Sequence, residues 1–435
     1  MFSRLLNSLR AMVLPGLLPM VLPVLLTTGL LTSCGGSGSP APAPSGLAVQ
    51  VAESTATISW NVADGVEYWL FYAPTSVAPA DTSDMSVWIR TAAARTVVHV
   101  NSPYVLSGLP NGSSYSFTVN GRVNGGPGGP GATPVTATPK LAGSNWSVGS
   151  NSAAGGQDLR AITRGTVFVA GGAGGAIASS ADGITWSTLS AATSNNLNAA
   201  WFYTTYKLVG DNGTVVTSTD AITWTPRTSA TTQHLYGIAA NGTNLNVAVG
   251  ANGTVITSAD GATWAAQASG TTRDLYAVTY SSFNGGLWVA VGAGGTIVKS
   301  TDAVTWTAVA SNTTADLRGV ANGIGSTVTA ATATTTTTTF ALAFTAVGAA
   351  GTVVSSADGT TWVAQSVAGG SNLNAVSFGG QFVAVGNAGS IFTSTNGTTW
   401  AAVAPAPTTQ NLLAIARGTL TYAAVGAGGV NLLSK

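Results

Sequence analysis

Apolar and polar residues alternate along most of this chain in short runs, the period of strands with one buried face. The first runs are TATISW (55–60), EYWLFYA (67–73), TVVHV (96–100), SYSFTVNGRV (114–123) and PVTATP (134–139). From residue 146 the pattern becomes a repeat. GGAIASSADGITW (174–186), NGTVVTSTDAITW (212–224), NGTVITSADGATW (252–264), GGTIVKSTDAVTW (294–306), AGTVVSSADGTTW (350–362) and AGSIFTSTNGTTW (388–400) are near copies. A seventh starts as GGVNLLSK at 428–435, and its tryptophan is assigned to Trp146, in GSNW. Each unit reads in one order: a strand at Trp, a polar turn, a strand on Leu-x-x-Ile/Val, a strand such as FVAVG, a Gly-rich turn, then a strand such as GTVITS.

The tryptophans Trp146, Trp186, Trp224, Trp264, Trp306, Trp362 and Trp400 are spaced by 40, 38, 40, 42, 56 and 38 residues. A period near 40 with four strands per unit predicts propeller blades. The 56-residue spacing comes from a Thr-rich insertion, 323–340, between the first two strands of one unit, read as a floppy or extended hairpin. An array that begins and ends mid-unit is expected to close by pairing the strand at Trp146 with 429–434, which removes open sheet edges. The predicted fold is all-β: a β-sandwich over 47–139, a linker at 140–145 and a seven-bladed β-propeller with split-blade closure over 146–435.

The sandwich segment resembles a fibronectin type III domain. Trp60 ends its second strand, 109–115 (LPNGSSY) matches that family's tyrosine corner, and the segment closes on Thr138-Pro139. Its Gly/Pro-rich loop NGGPGGPG (124–131) reads as a plain hairpin connection, with a ligand loop as the alternative.

Composition narrows the function. Charged residues are 7% of the 435, hydrophobic residues 45%, with 12 Trp and 55 Gly. Such a chain buries a core and suits short strands and tight turns. The net charge of +1 provides no field to attract nucleic acid. The one cysteine, Cys34, excludes an intramolecular disulfide. It follows Arg4, Arg10 and an apolar stretch, 11–31, and stands at the end of Leu31-Thr32-Ser33-Cys34. This resembles a bacterial lipoprotein signal with its lipobox, which implies a signal peptide at 1–33, lipidation of Cys34 and an outer-membrane location. An uncleaved anchor or simple secretion is the rival reading; Pro15, Pro19 and Pro23 disfavour an anchor helix. Residues 34–46 read as a Gly/Ser/Pro-Ala tether.

The repeated Ser-x-Asp-Gly-x-Thr-Trp resembles the Asp-box (BNR-like) motif of sialidase-like propellers, in the shorter form of photosystem II assembly-factor-like repeats. Its Asp182, Asp220, Asp260, Asp302, Asp358 and Asn396 are expected to lock hairpins, since equivalent groups spread round a ring cannot converge on one substrate. Sialidase chemistry, which needs a Tyr/Glu pair, finds no Glu after residue 67. No metal motif, phosphate loop or cofactor motif is present, so neither catalysis nor a cofactor is expected.

The copies differ beside the Leu that opens each innermost strand. Before it stand Asp158, Asn196, His234, Asp274, Asp316, Asn372 and Asn411. After it stand Arg160, Asn198, Tyr236, Tyr276, Arg318, Asn374 and Leu413. Arg160, Tyr236, Tyr276 and Arg318, with Arg273 and His234, are the candidate binding residues of a channel mouth. The alternative is turn-capping and a solvated rim. The repeat resemblance implies a non-catalytic assembly or scaffold protein with a protein partner; a glycan-binding or carbohydrate-active surface lipoprotein is the other reading.

Overall fold

The computed structural model describes residues 38–149, 153–243, 245–331 and 335–434; the signal segment and Cys34 lie outside them. The described chain is all-β. Its first part stacks a three-stranded sheet (Ala48–Ala52, Thr55–Ser59, Tyr104–Ser107) against a four-stranded one (Arg95–Val100, Val66–Pro74, Tyr115–Val123, Val135–Ala137). Ile58, Trp60, Leu70, Phe117 and Val119 fill the space between, as the alternation requires. Tyr115 packs against Tyr72 and Phe117, and among the described residues its hydroxyl makes no hydrogen bond, unlike a tyrosine corner. The corner is closed by the Ser54 N–H donating to Asn111 Oδ1 at 2.7 Å and the Gly112 N–H to the Pro139 carbonyl at 2.7 Å.

Residues 38–46, expected as free tether, lie along the sandwich instead. Pro40 bridges to Arg122, Ala41 is buried, and the Val123 N–H donates to the Ser39 carbonyl at 2.9 Å. This accounts for the glycines of the 124–131 loop. A side chain at Gly126 or Gly129 would collide with the backbone of Gly38 or Ala41.

From Trp146 onward the strands form seven four-stranded antiparallel sheets. The second sheet is typical: Leu197–Phe202, Tyr206–Gly210, Val215–Ser218 and Thr225–Arg227. Its second strand is buried throughout and its fourth is exposed, so core lies between sheets and polar residues lie outside. Innermost strands neighbour one another in sequence order, and Leu412–Arg417 lies beside Leu159–Arg164, completing a ring. The last sheet is composite: Asn431–Ser434 pairs with Trp146–Val148, from Leu432 opposite Val148 to Ser434 opposite Trp146. The Thr-rich insertion is a long hairpin, Leu317–Ala331 against Thr335–Gly348, in unbroken register from Gly319–Val347 to Ala331–Thr335.

The linker is docked as well. Ala142 is buried, its carbonyl accepts from Gln381 Nε2 at 2.7 Å, and the Gly143 N–H donates to Ser434 Oγ at 2.7 Å. Beside it the sandwich touches the ring through Glu53, whose Oε2 accepts from Arg417 Nη2 at 2.9 Å, with both side chains largely buried. Arg417 also lies over the Tyr422 ring, 4.9 Å from its centroid.

The repeated acids lock their hairpins. Asp182 Oδ1 accepts from the Ile184 and Thr185 N–H groups at 2.8 Å, and the Gly183 N–H donates to Ser180 Oγ at 2.8 Å. Asn396 makes the same bonds at 2.9 Å. Backbone N–H donation holds Asp182 and Asp260 at about 2, against an ordinary 3.8, and lowers Asp220, Asp302 and Asp358 too. A carboxylate with a depressed folded pKa contributes stability above its unfolded pKa, lost as pH falls through the folded one. Stability should therefore drop between about pH 4 and pH 2. Urea melts of Asp182→Asn and Asp260→Asn should show a shallower acid slope; an unchanged slope would remove these groups as its source.

Candidate functional site

A local irregularity builds the channel wall. In six sheets the register slips just after the opening Leu, leaving Asn198, Tyr236, Tyr276, Arg318, Asn374 or Leu413 unpaired at a bulge. In the remaining sheet Leu159 pairs with Gly172 and Ala161 with Gly171, so Arg160 is the extra residue. Bulges re-aim side chains, and these seven line one cavity of about 560 Å³ with Asp158 and Asp316. A narrower space of about 160 Å³ continues along the innermost strands.

The residue before each Leu clasps the neighbouring sheet. Asp274 Oδ1 accepts from the Asn252 N–H at 2.8 Å, Asp316 from Gly294 at 2.8 Å, and Asn196, Asn372 and Asn411 accept from Gly174, Ala350 and Ala388 in the same way. Asp158 accepts from Gly428 at 2.9 Å and so joins the first sheet to the last. The Gly-rich turns therefore give their N–H groups to neighbouring side chains.

Four of the six sequence-derived binding residues meet at the cavity: Arg160, Tyr236, Tyr276 and Arg318. His234 does not line it. Its Nδ1 stands 3.3 Å from the Asn212 nitrogen and 3.2 Å from Asp211 Oδ1, making it the clasp of its sheet. Arg273 is exposed beside Gly294, bordering a broader depression of about 740 Å³. In every sheet the bulge aims the residue after Leu into the channel, whereas of the residues before Leu only Asp158 and Asp316 reach the cavity.

Tyr236 and Tyr276 stand 5.7 Å apart, centroid to centroid, at 54°. Burial raises both hydroxyl pKa values, assisted by Asp274 and Asp211 for Tyr236 and by Asp316 and Asp274 for Tyr276. Both are protonated donors at neutral pH. Arg318 Nη1 donates to Asn374 Oδ1 at 3.1 Å. Asn198 and Asn374 are fixed by bonds to Asp211 and Asn387 and to the Leu235 and Leu412 carbonyls. Arg160, half-buried, has no hydrogen-bond partner among the described residues. The wall thus offers a free guanidinium, a second one tethered, two phenols and two carboxylates. Among the described residues no three His, Cys, Asp or Glu side chains group to hold a metal.

Solved structures share this architecture. A chain described as YCF48 bound to D1 peptide is 15% identical with a TM-score of 0.52, over 68% of this chain and 99% of that one. YCF48 from Cyanidioschyzon merolae is 18% identical with a TM-score of 0.50, over 66% and 98%. A streptogramin B lyase is 11% identical with a TM-score of 0.53, over 67% and 97%. The ring is a β-propeller. No protein-family model matches the chain, and no curated protein does. Propellers serve binding and catalysis alike, so identities this low carry the fold and leave the task to the site.

Proposed function

We propose that this chain is a non-catalytic binding or assembly lipoprotein of the bacterial envelope, held by a lipid on Cys34. Its fibronectin type III-like sandwich carries a seven-bladed propeller whose channel mouth takes a protein partner. The observation that carries this reading is the convergence of a strongly variable repeat position on one cavity, where Arg160 stands half-buried without a partner among the described residues. Arg and Tyr anchors are typical of protein-binding surfaces. The fold likeness to a YCF48 chain described as bound to D1 peptide is compatible with a peptide at such a face.

The test is crosslinking and pulldown of the intact protein from its native membrane, compared with the Arg160→Ala/Arg318→Ala double variant. Recovery of the partner should fall at least about tenfold, the loss of about 1.4 kcal/mol or more, with an unchanged melting temperature. Undiminished recovery of every partner would refute the mouth as the site. A glycan ligand is the second reading, favoured by the paired phenols of Tyr236 and Tyr276 beside Asn198. Glycan-array binding lost in Tyr236→Ala would select it.

A further inference from the structure

One second-strand position breaks the pattern of the ring. Six sheets place Val169, Val247, Val289, Thr345, Val383 or Ala423 there, and the second sheet places Lys207. The lysine is only 3% exposed. Its Nζ donates to Thr205 Oγ1 at 2.8 Å and to the Thr205 carbonyl at 3.4 Å. An ammonium carries three donors, so one is left over. Among the described residues no carboxylate pairs with it. A buried charge without a counter-charge is costly, and burial lowers the pKa of this one.

A cavity of about 200 Å³ lies between the second and third sheets, and Lys207 sits directly behind its lining, against Thr205 and Gly261. Thr205, Thr217, Thr223, Thr225, Arg227 and Asp260 line it. Gly261, also in the lining, leaves the room that the lysine Cε occupies. Arg227 donates through Nε to Thr217 Oγ1 at 2.9 Å, and its two Nη groups have no partner among the described residues. Asp260 is the one carboxylate of the lining, and its Oδ1 is engaged by Ser258 and by the Ala262 and Thr263 N–H groups. Arg227 is the one cation of the lining and Asp260 its one carboxylate; Lys207, behind the lining, adds a second positive charge, and several hydroxyl donors stand round the cavity. The corresponding groove between the fifth and sixth sheets, about 440 Å³, combines Ala341, Ala343 and Val363 with Ser355, Asp358 and Asn396 and has no Lys or Arg in its lining.

We propose that this groove binds an oxyanion, the phosphate group of inorganic phosphate or of a small phosphomonoester. Lys207 supplies the counter-charge from beneath, Arg227 closes the rim as a planar donor fork, and threonine hydroxyls fill the remaining acceptor directions. The anion offsets the penalty of the buried ammonium. Because binding requires the charged lysine, affinity declines as pH rises through a pKa below the ordinary lysine range.

The experiment is isothermal titration of the full chain with inorganic phosphate and, in parallel, with glucose 6-phosphate, at constant ionic strength. Saturable one-site binding is expected for at least one of them, and the tighter of the two assigns the source of the phosphate group. Arg227→Gln should weaken it at least tenfold and Lys207→Met should abolish it. Arg227 is exposed, so its variant decides the matter even where Lys207→Met fails to fold. Absence of saturable binding for both ligands, or binding that Arg227→Gln leaves unchanged, would overturn the site.

Discussion

Removing residues 430–434 should unfold the whole propeller in one transition. The segment contributes Val430, Asn431, Leu432, Leu433 and Ser434, all buried. Each fully buried Val or Leu side chain is worth about 1.5–3 kcal/mol. The three apolar residues alone therefore match a large part of the roughly 5–15 kcal/mol by which a typical domain is stable. The truncation also strips Trp146–Val148 of its only partner strand and the Gly143 N–H of its acceptor Ser434. Calorimetry should find no cooperative propeller transition. A melt with a preserved main transition and only lost amplitude would show that closure is local.

A single methyl group should come close to the same damage at Gly250. Its φ of −168° is extended backbone that any residue adopts, so no torsional demand requires glycine there. The obstacle is steric: a Cβ would collide with the His234 carbonyl at the bulge. The other sheets repeat this at Gly172, Gly210, Gly292, Gly348, Gly386 and Gly426. Gly250→Ala should therefore cost about 3 kcal/mol or more, in the diagnostic tail of point mutants. Gly428→Ala is the control. Its φ is +61° with open space around it, and Ala350 and Ala388 hold the equivalent place at φ 52° and 51°. It should cost about 1 kcal/mol or less. Chemical denaturation of the two variants separates them; equal losses would mean that the close approach at Gly250 relaxes freely.

The strand order within each sheet was legible because the Trp spacing and the FVAVG and GTVITS runs fix where a unit starts. The channel residues were legible for a different reason: once the copies are in phase, variation at one position stands out. The alternation places Arg160 and its equivalents opposite the Leu, but the bulge that actually aims them leaves no trace in an alternating pattern. His234 was misplaced because a mouth residue and a turn clasp look alike in sequence. The acceptor atom common to Asp, Asn and His at that position was the available signal. Ala48–Ala52 and Tyr104–Ser107, edge strands of the sandwich, are short and half-exposed and were not singled out. The docking of 38–46 was hidden because a Pro-Ala run reads as extended in either state, and only its fit against Gly126 and Gly129 shows where it lies. Lys207 escaped notice because burial of a lone lysine is decided by the neighbouring sheet.

The Glu53–Arg417 contact sets a direction. Leu412–Arg417 begins beside Leu413 at the channel mouth and ends at Arg417 against the sandwich, so it crosses the ring from one face to the other. Six residues of strand span roughly 17–20 Å. The sandwich is therefore a pedestal under the far face, and the mouth opens away from it. With the leader cleaved as proposed, the stretch from Cys34 to the docked Ser39 can reach no more than about 18 Å. The lipid would hold the pedestal close against the bilayer and lift the mouth clear of it, so a partner would arrive from the aqueous side without competing with the membrane for the same face.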